Sequence, residues 1–249
     1  MIKNLTVFVS IFFFGIFSAN SELLNLENVS EFPILSMEQD DAQGNLIGFI
    51  GGKGLSNSEG KTRNFLGKQK EKFYKRKYNY YLFPNPNSWK KASYPYRASE
   101  QNTSRIKALV DFLKKRNSLP SYLLGFSRGS VDVSSYAMRH PDTIKGVVII
   151  SGIYANSSRK ASDYSTDLMV GEEFPGALLI VHHEEDECRV SDPEEAKSFF
   201  ETVKAITKKI VMISGGGRTG RECGPFHHHG FEGVEEKVIV GIFKWLNNN

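Results

Sequence analysis

Cysteine is scarce in this sequence: only Cys188 and Cys223 occur in 249 residues. Two thiols cannot supply a four-cysteine zinc module, and their spacing is not that of a C-x-x-C redox motif. Neither H-E-x-x-H nor a spaced H-x-H-x-D-H pattern is present, so the usual sequence signatures of a metal hydrolase are missing. There is no internal repeat, no low-complexity tract and no Pro/Gly/Ser-rich linker, and nothing divides the chain. Its length suits one α/β domain with a core that needs no staples.

A strong charge bias is also missing. With 32 Lys and Arg against 28 Asp and Glu, the net charge is +4. The excess gathers in "KTRNFLGKQKEKFYKRK" (61–77), which has eight basic residues against one Glu. A nucleic-acid patch is one reading of that segment. Phe65, Leu66, Phe73 and Tyr74 recur at roughly helical spacing, so the preferred reading is the solvated face of an amphipathic helix.

Long hydrophobic runs are limited to "LTVFVSIFFFGIF" (5–17), preceded by Lys3 and followed by Ala19-Asn20-Ser21. The run is short for a bilayer span, and small residues occupy the two positions that a signal peptidase reads. Residues 1–21 are therefore expected to be a cleaved secretory signal, with the domain at 22–249 and no membrane insertion after cleavage. An uncleaved anchor is the alternative. An exported chain meets an oxidising compartment, where two cysteines suggest one disulfide.

The remaining apolar runs are short: 46–52, 78–83, 121–126, 146–151, 177–182 and 209–214. Stretches of helical period lie between most of them, at 104–116, 130–140, 192–206 and 233–246. Buried strands alternating with amphipathic helices predict a mainly parallel, doubly wound α/β sheet with helices on both faces. "DDAQGN" (40–45) reads as a hairpin turn into an antiparallel edge. The polar, proline-bearing segment 84–103 reads as a long loop over the sheet's C-terminal edge, where such sheets bind ligands.

Ser127, in "LLGFSRGSVDV" (123–133), stands between an apolar run and a helix, flanked by Gly125 and Gly129. Strand, sharp turn and helix is the context that a G-x-S-x-G nucleophile needs. The small glycines let strand and helix pack closely, and the Arg128 N–H at the helix start is free to bind an oxyanion. A serine hydroxyl needs a base and a group to orient that base. Five of the six histidines fall in two clusters, "VHHEEDECRV" (181–190) and "CGPFHHHGFEG" (223–233), and the first carries four consecutive acids. His140 ends a helix, where a capping role suits it better than catalysis. The clustered histidines also allow loop hydrogen bonds or a metal site. Adjacent histidines at a strand end point in opposite directions, however, which argues against shared ligation. Asn28, Asn102 and Asn156 begin N-x-S/T sequons, meaningful only in a glycosylating host.

Taken together, these motifs make the chain resemble an α/β-hydrolase-fold serine hydrolase of the exported bacterial esterase-like kind, from about residue 46 onward. "IGFIGGKG" (47–54) resembles the oxyanion loop after that family's third strand, here without the histidine common before its glycines. "GFSRGS" resembles the nucleophile elbow. "VHHEEDECRV" resembles an H-x-x-x-D-x-x-V acid loop, and that resemblance selects Asp186. "HHHGF" resembles the catalytic-histidine loop and selects His229, directly before glycine.

The resemblance implies a Ser127–His229–Asp186 triad that cleaves carboxylic esters through an acyl-enzyme. The Arg128 N–H and a Gly52 or Lys53 N–H would be the oxyanion donors. It calls for no metal and no organic cofactor, and its partner is a small-molecule ester rather than nucleic acid. If Asp186 and His229 hydrogen-bond, their loops run side by side, which implies a Cys188–Cys223 disulfide. Trp89, Tyr94, Tyr96 and Phe226 are candidate pocket aromatics. Three other readings remain: a peptidase or amidase on the same fold, a non-catalytic binding protein, and a metal-dependent hydrolase.

Overall fold

The computed structural model describes residues 21–155 and 157–249. The expected signal segment lies outside them except for Ser21, which opens the first strand. Among the described residues eight strands form one sheet: β1 Ser21–Leu24, β2 Ile34–Met37, β3 Asn45–Phe49, β4 Asn79–Leu82, β5 Ser121–Phe126, β6 Gly146–Ile150, β7 Glu173–His183 and β8 Lys204–Ile213. Their spatial order is β1-β2-β4-β3-β5-β6-β7-β8. Strand β2 pairs antiparallel with both β1 and β4, and every pairing from β4 to β8 is parallel.

Alternation along the strands fills two cores. Leu46, Tyr80, Leu124, Val148 and Leu179 face α1 (Phe65–Lys68), α2 (Lys70–Tyr74) and α8 (Glu235–Leu246). Ile47, Tyr81, Leu123, Val147 and Ile180 face the other side. There they meet α4 (Glu100–Asn117), α5 (Gly129–Arg139) and α7 (Pro193–Thr202). Both faces of the parallel strands are therefore covered, as their near-continuous apolar runs require. Among the described residues, no helix is long and apolar enough to cross a membrane.

Four local expectations are corrected. The 40–45 turn does not close a hairpin, because β4 lies between β2 and β3. The 61–77 helix is two short helices that break at Gln69. Their buried Phe65, Leu66 and Phe73 face the core, while Lys68, Lys72 and Arg76 pair with Glu235 and Glu236 of α8. The 84–103 loop contains α3 (Tyr94–Ala98), capped by Ser93, and the first turn of α4, capped by Ser99. The 192–206 helix stops at Thr202, because Lys204 already pairs with Glu173 in the sheet.

Candidate active site

Strand β5 ends at Phe126 and α5 begins at Gly129, so Ser127 occupies the turn between them. Its φ is 52°, in the left-handed region that a serine enters only when its surroundings enforce it. The enforcement is visible. The Ser127 N–H donates to Ile150 O at 2.9 Å, and Ser130 N–H donates to Ser127 O at 2.9 Å. A Cβ at Gly125 would meet Gly129 O at 2.6 Å, and one at Gly129 would collide with Phe49 O. Only glycine fits this crossing of strand and helix.

The loop after β3 presses on the same turn. A Cβ on Gly51 would lie 2.8 Å from Ser127 Cβ and 3.0 Å from Phe126 O. The loop carbonyls all have donors. Ile50 O accepts from Arg97 (3.0 Å), Gly51 O from Gly54 N–H (3.1 Å) and Gly52 O from the Arg128 guanidinium (3.4 Å). Lys53 O accepts from Ala92 N–H and the Asn85 side chain, each at 3.0 Å. The Arg128 N–H precedes the first turn of α5, where amides lack an intrahelical acceptor. Gly52 and Lys53 are exposed beside it.

Asp186 sits on the loop after β7. Of the four consecutive acids it alone is buried; Glu184, Glu185 and Glu187 are exposed. Its Oδ1 accepts the Cys188 N–H at 2.9 Å, and its Oδ2 lies 2.8 Å from His229 Nδ1 and 3.5 Å from His182 Nε2. Burial raises the Asp186 carboxyl, but His229, His182 and the Cys188 N–H outweigh it and hold it below the ordinary carboxylate value. His229 lies in the short 3₁₀ turn His228–Gly230. Its carbonyl accepts from Ser151 Oγ at 2.9 Å, and its ring lies 5.3 Å from that of Phe126, the residue before Ser127. Its Nε2 is buried and has no hydrogen-bond partner among the described residues.

Cys188 and Cys223 form a disulfide that ties the acid loop to the histidine loop. The other clustered histidines hold those loops. His182 Nε2 bonds Ser191 O at 3.0 Å, and burial pushes its pKa down to about 4 against the pull of Asp186. His183, on the opposite face, bonds Gly215 O through Nε2 at 2.7 Å and accepts Glu185 N–H at Nδ1. Its ring stacks on His228 at 4.3 Å, and His228 Nδ1 bonds Glu185 O at 2.8 Å. His227 Nε2 lies 3.1 Å from Glu187.

Among the described residues two groups, His183–Glu185–His228 and Glu187–His227–His228, bring possible metal-ligand atoms within 4.8 Å. In the first, both His183 nitrogens are taken by the backbone. In the second, Glu187 is also paired with Arg218 at 3.5 Å.

Of the candidate aromatics, Tyr94 is buried beside the site with the Arg128 guanidinium 4.7 Å over its ring. Tyr96 bonds Arg105, whereas Trp89 is 76% exposed and Phe226 lies at the surface beneath Lys68. Asn102, noted only as a sequon, is buried and bonds Asp132 at 2.8 Å, a position no glycan could occupy.

No protein-family model matches the chain, and no curated protein sequence matches it. Solved structures do. Est1E from Butyrivibrio proteoclasticus superposes with a TM-score of 0.63 at 16% identity, over 93% of this chain and 98% of that one. A monoacylglycerol lipase from Paleococcus ferrophilus gives 0.60 at 18% identity, over 90% and 98%. An alpha-beta serine hydrolase homologue from Coxiella burnetii gives 0.62 at 14% identity, over 93% and 99%. The chain has the α/β-hydrolase fold.

Proposed function

We propose that the protein is an exported serine hydrolase of carboxylic esters, with Ser127 as nucleophile, His229 as base and Asp186 as the group that orients the base. One observation carries the reading. His229 is tethered at Nδ1 to a buried carboxylate, its Nε2 is buried with no hydrogen-bond partner among the described residues, and its ring lies against Phe126, which precedes the strained Ser127 turn. A buried nitrogen left unsatisfied calls for an explanation. A general base waiting for a hydroxyl proton is one.

In this mechanism His229 Nε2 takes the Ser127 proton as Oγ attacks the ester carbonyl. Asp186 fixes the tautomer and stabilises the imidazolium. The tetrahedral oxyanion receives the Arg128 N–H and a Gly52 or Lys53 N–H, each such donor contributing about 3 kcal/mol. His229 then protonates the departing alcohol, and water repeats the sequence to release the acid. Neither a metal nor an organic cofactor enters any step.

Export rests on the N-terminal pattern of Lys3, the apolar run 5–17 and the small residues after it. The disulfide suits an oxidising compartment. A panel of p-nitrophenyl esters of graded acyl length, run beside matched anilides, tests the activity. Turnover of esters in preference to anilides supports the proposal. Anilide turnover matching the esters would move the assignment to an amidase.

A further inference from the structure

Beneath the oxyanion loop lies a buried polar network that the mechanism does not use. Arg97 of α3 is 2% exposed, Asp132 of α5 3% and Asn102 of α4 1%. The Arg97 fork has three targets. Nε donates to Ala92 O at 3.2 Å, one terminal nitrogen donates to Ile50 O at 3.0 Å, and the other pairs with Asp132 Oδ2. The remaining Asp132 oxygen accepts from Asn102 at 2.8 Å. Asp132 lies on the nucleophile's own helix, five residues after Ser127. Ile50 opens the loop that carries Gly51, Gly52 and Lys53.

We infer that Arg97 is a positioning residue for the oxyanion hole, joining the loop that supplies one donor to the helix that supplies the other. The inference rests on the serine-hydrolase reading above. The two donors belong to separate segments, Arg128 at the head of α5 and Gly52 or Lys53 after β3. The distance between them is set by whatever connects those segments, and a transition-state oxygen tolerates little error: a displacement of about 1 Å can cost 10²-fold in rate. The Arg97 guanidinium makes the buried part of that connection, beneath the exposed bond from the Arg128 guanidinium to Gly52 O. The Arg97 fork fixes the Ile50 carbonyl and so constrains the following peptides, whose N–H groups are the candidate donors. Its third bond, to Ala92 O, reaches the same anchor from behind, since Ala92 N–H holds Lys53 O.

The chemistry of the pair fits a positioning role better than a stabilising one. A buried ion pair gains little net stability over apolar residues of the same size, although breaking it leaves an uncompensated charge. Burial raises the Asp132 carboxyl, and Arg97 and Asn102 oppose that rise. Arginine is required because three acceptors in different directions are met by one rigid fork. A lysine keeps the charge but cannot meet all three.

Arg105 provides a matched control. It is 7% exposed in the same network and bonds Val29 O, Pro84 O, Asn102 and Tyr96, but not the loop.

The test compares Arg97→Lys, Asp132→Asn and Arg105→Lys with the parent, using full-length purified protein and a p-nitrophenyl ester. Melting temperature is measured on each variant. Arg97→Lys is expected to lose on the order of 10²-fold in kcat with KM within about threefold. The inhibition constant of a trifluoromethyl ketone, whose adduct places an oxyanion in the hole, is expected to rise in the same proportion. Arg105→Lys should stay within about threefold of the parent on both readouts. Asp132→Asn, which keeps the side-chain shape, should show a smaller loss of the same kind and serves alone if Arg97→Lys does not fold.

Equal losses in Arg97→Lys and Arg105→Lys, or a loss confined to KM with ketone affinity unchanged, would overturn the positioning role. Ser127→Ala in the same series separates the two claims. If that variant stays active, the serine mechanism itself falls.

Discussion

His229 Nδ1 lies 2.8 Å from Asp186 Oδ2, although 43 residues separate the two in sequence. Asp186 is held in turn by the Cys188 N–H, and His229 by Ser151. The pair is therefore fixed from both sides before any substrate arrives, which keeps the reorganisation needed during reaction small.

Removing the proposed nucleophile should abolish turnover without unfolding the chain. Ser127→Ala is expected to lower kcat by a factor on the order of 10⁴, with the melting temperature nearly unchanged. Activity within tenfold of the parent would refute the mechanism.

The three consecutive histidines should behave differently. His229→Ala should resemble Ser127→Ala, because among the described residues His229 alone combines the Asp186 bond with an Nε2 that has no hydrogen-bond partner. His227→Ala and His228→Ala remove contacts to Glu187 and Glu185 O and should each keep activity within about tenfold, with some loss of stability. Ester kinetics on the three variants decide this, and equal losses would leave the base unassigned.

Reduction should couple stability to activity. The disulfide closes a loop of 35 residues, for which chain entropy gives about 4 kcal/mol. The Cys188 N–H holds Asp186, so loosening Cys188 should also disturb the acid. Cys223→Ser, or dithiothreitol, should lower the melting temperature and kcat together. Full activity with two freely alkylated thiols would detach the bridge from catalysis.

His182 should shape the acid side of the stability profile. Its folded pKa is depressed to about 4 from an ordinary value near 6.5, so the folded state refuses a proton that the unfolded chain accepts. The associated stability is whole above pH 6.5 and is lost as pH falls toward 4, in total on the order of 3 kcal/mol. Asp186, also depressed, adds a loss only at still lower pH. Urea midpoints between pH 7 and pH 4 should therefore fall more steeply for the parent than for His182→Gln. Parallel slopes would contradict the assignment.

The turn that carries Ser127 is legible in the sequence because its determinants are local. Gly125, Ser127 and Gly129 mark it once the apolar run before and the helix after are read with them, whereas Asp186 and His229 are selected by the resemblance of their loops to those of α/β hydrolases. Strand order is not local: nothing in "DDAQGN" reveals that β4 will insert between β2 and β3. The break at Gln69 interrupts an apolar period that reads as one helix, whereas the Ser93 cap of α3 is a local signal, followed by Pro95 in the first turn, that the segment's polar composition obscures. Arg97, Asp132 and Asn102 look like ordinary surface residues, since burial of a charge has no sequence signature until its partner's place is known. His182 had a weak signal, as half of a histidine pair at a strand end, but its contact with Asp186 required the loop to fold back.

The most direct test of the central claim is labelling with a fluorophosphonate, which reacts with an activated serine. The parent should incorporate one label per chain, mapped by peptide mass spectrometry to Ser127. His229→Ala should react slower by a factor on the order of 10² or more, and Ser127→Ala should not react. A label on any other serine, or none on folded parent protein, would contradict the assignment of Ser127 and His229 as nucleophile and base.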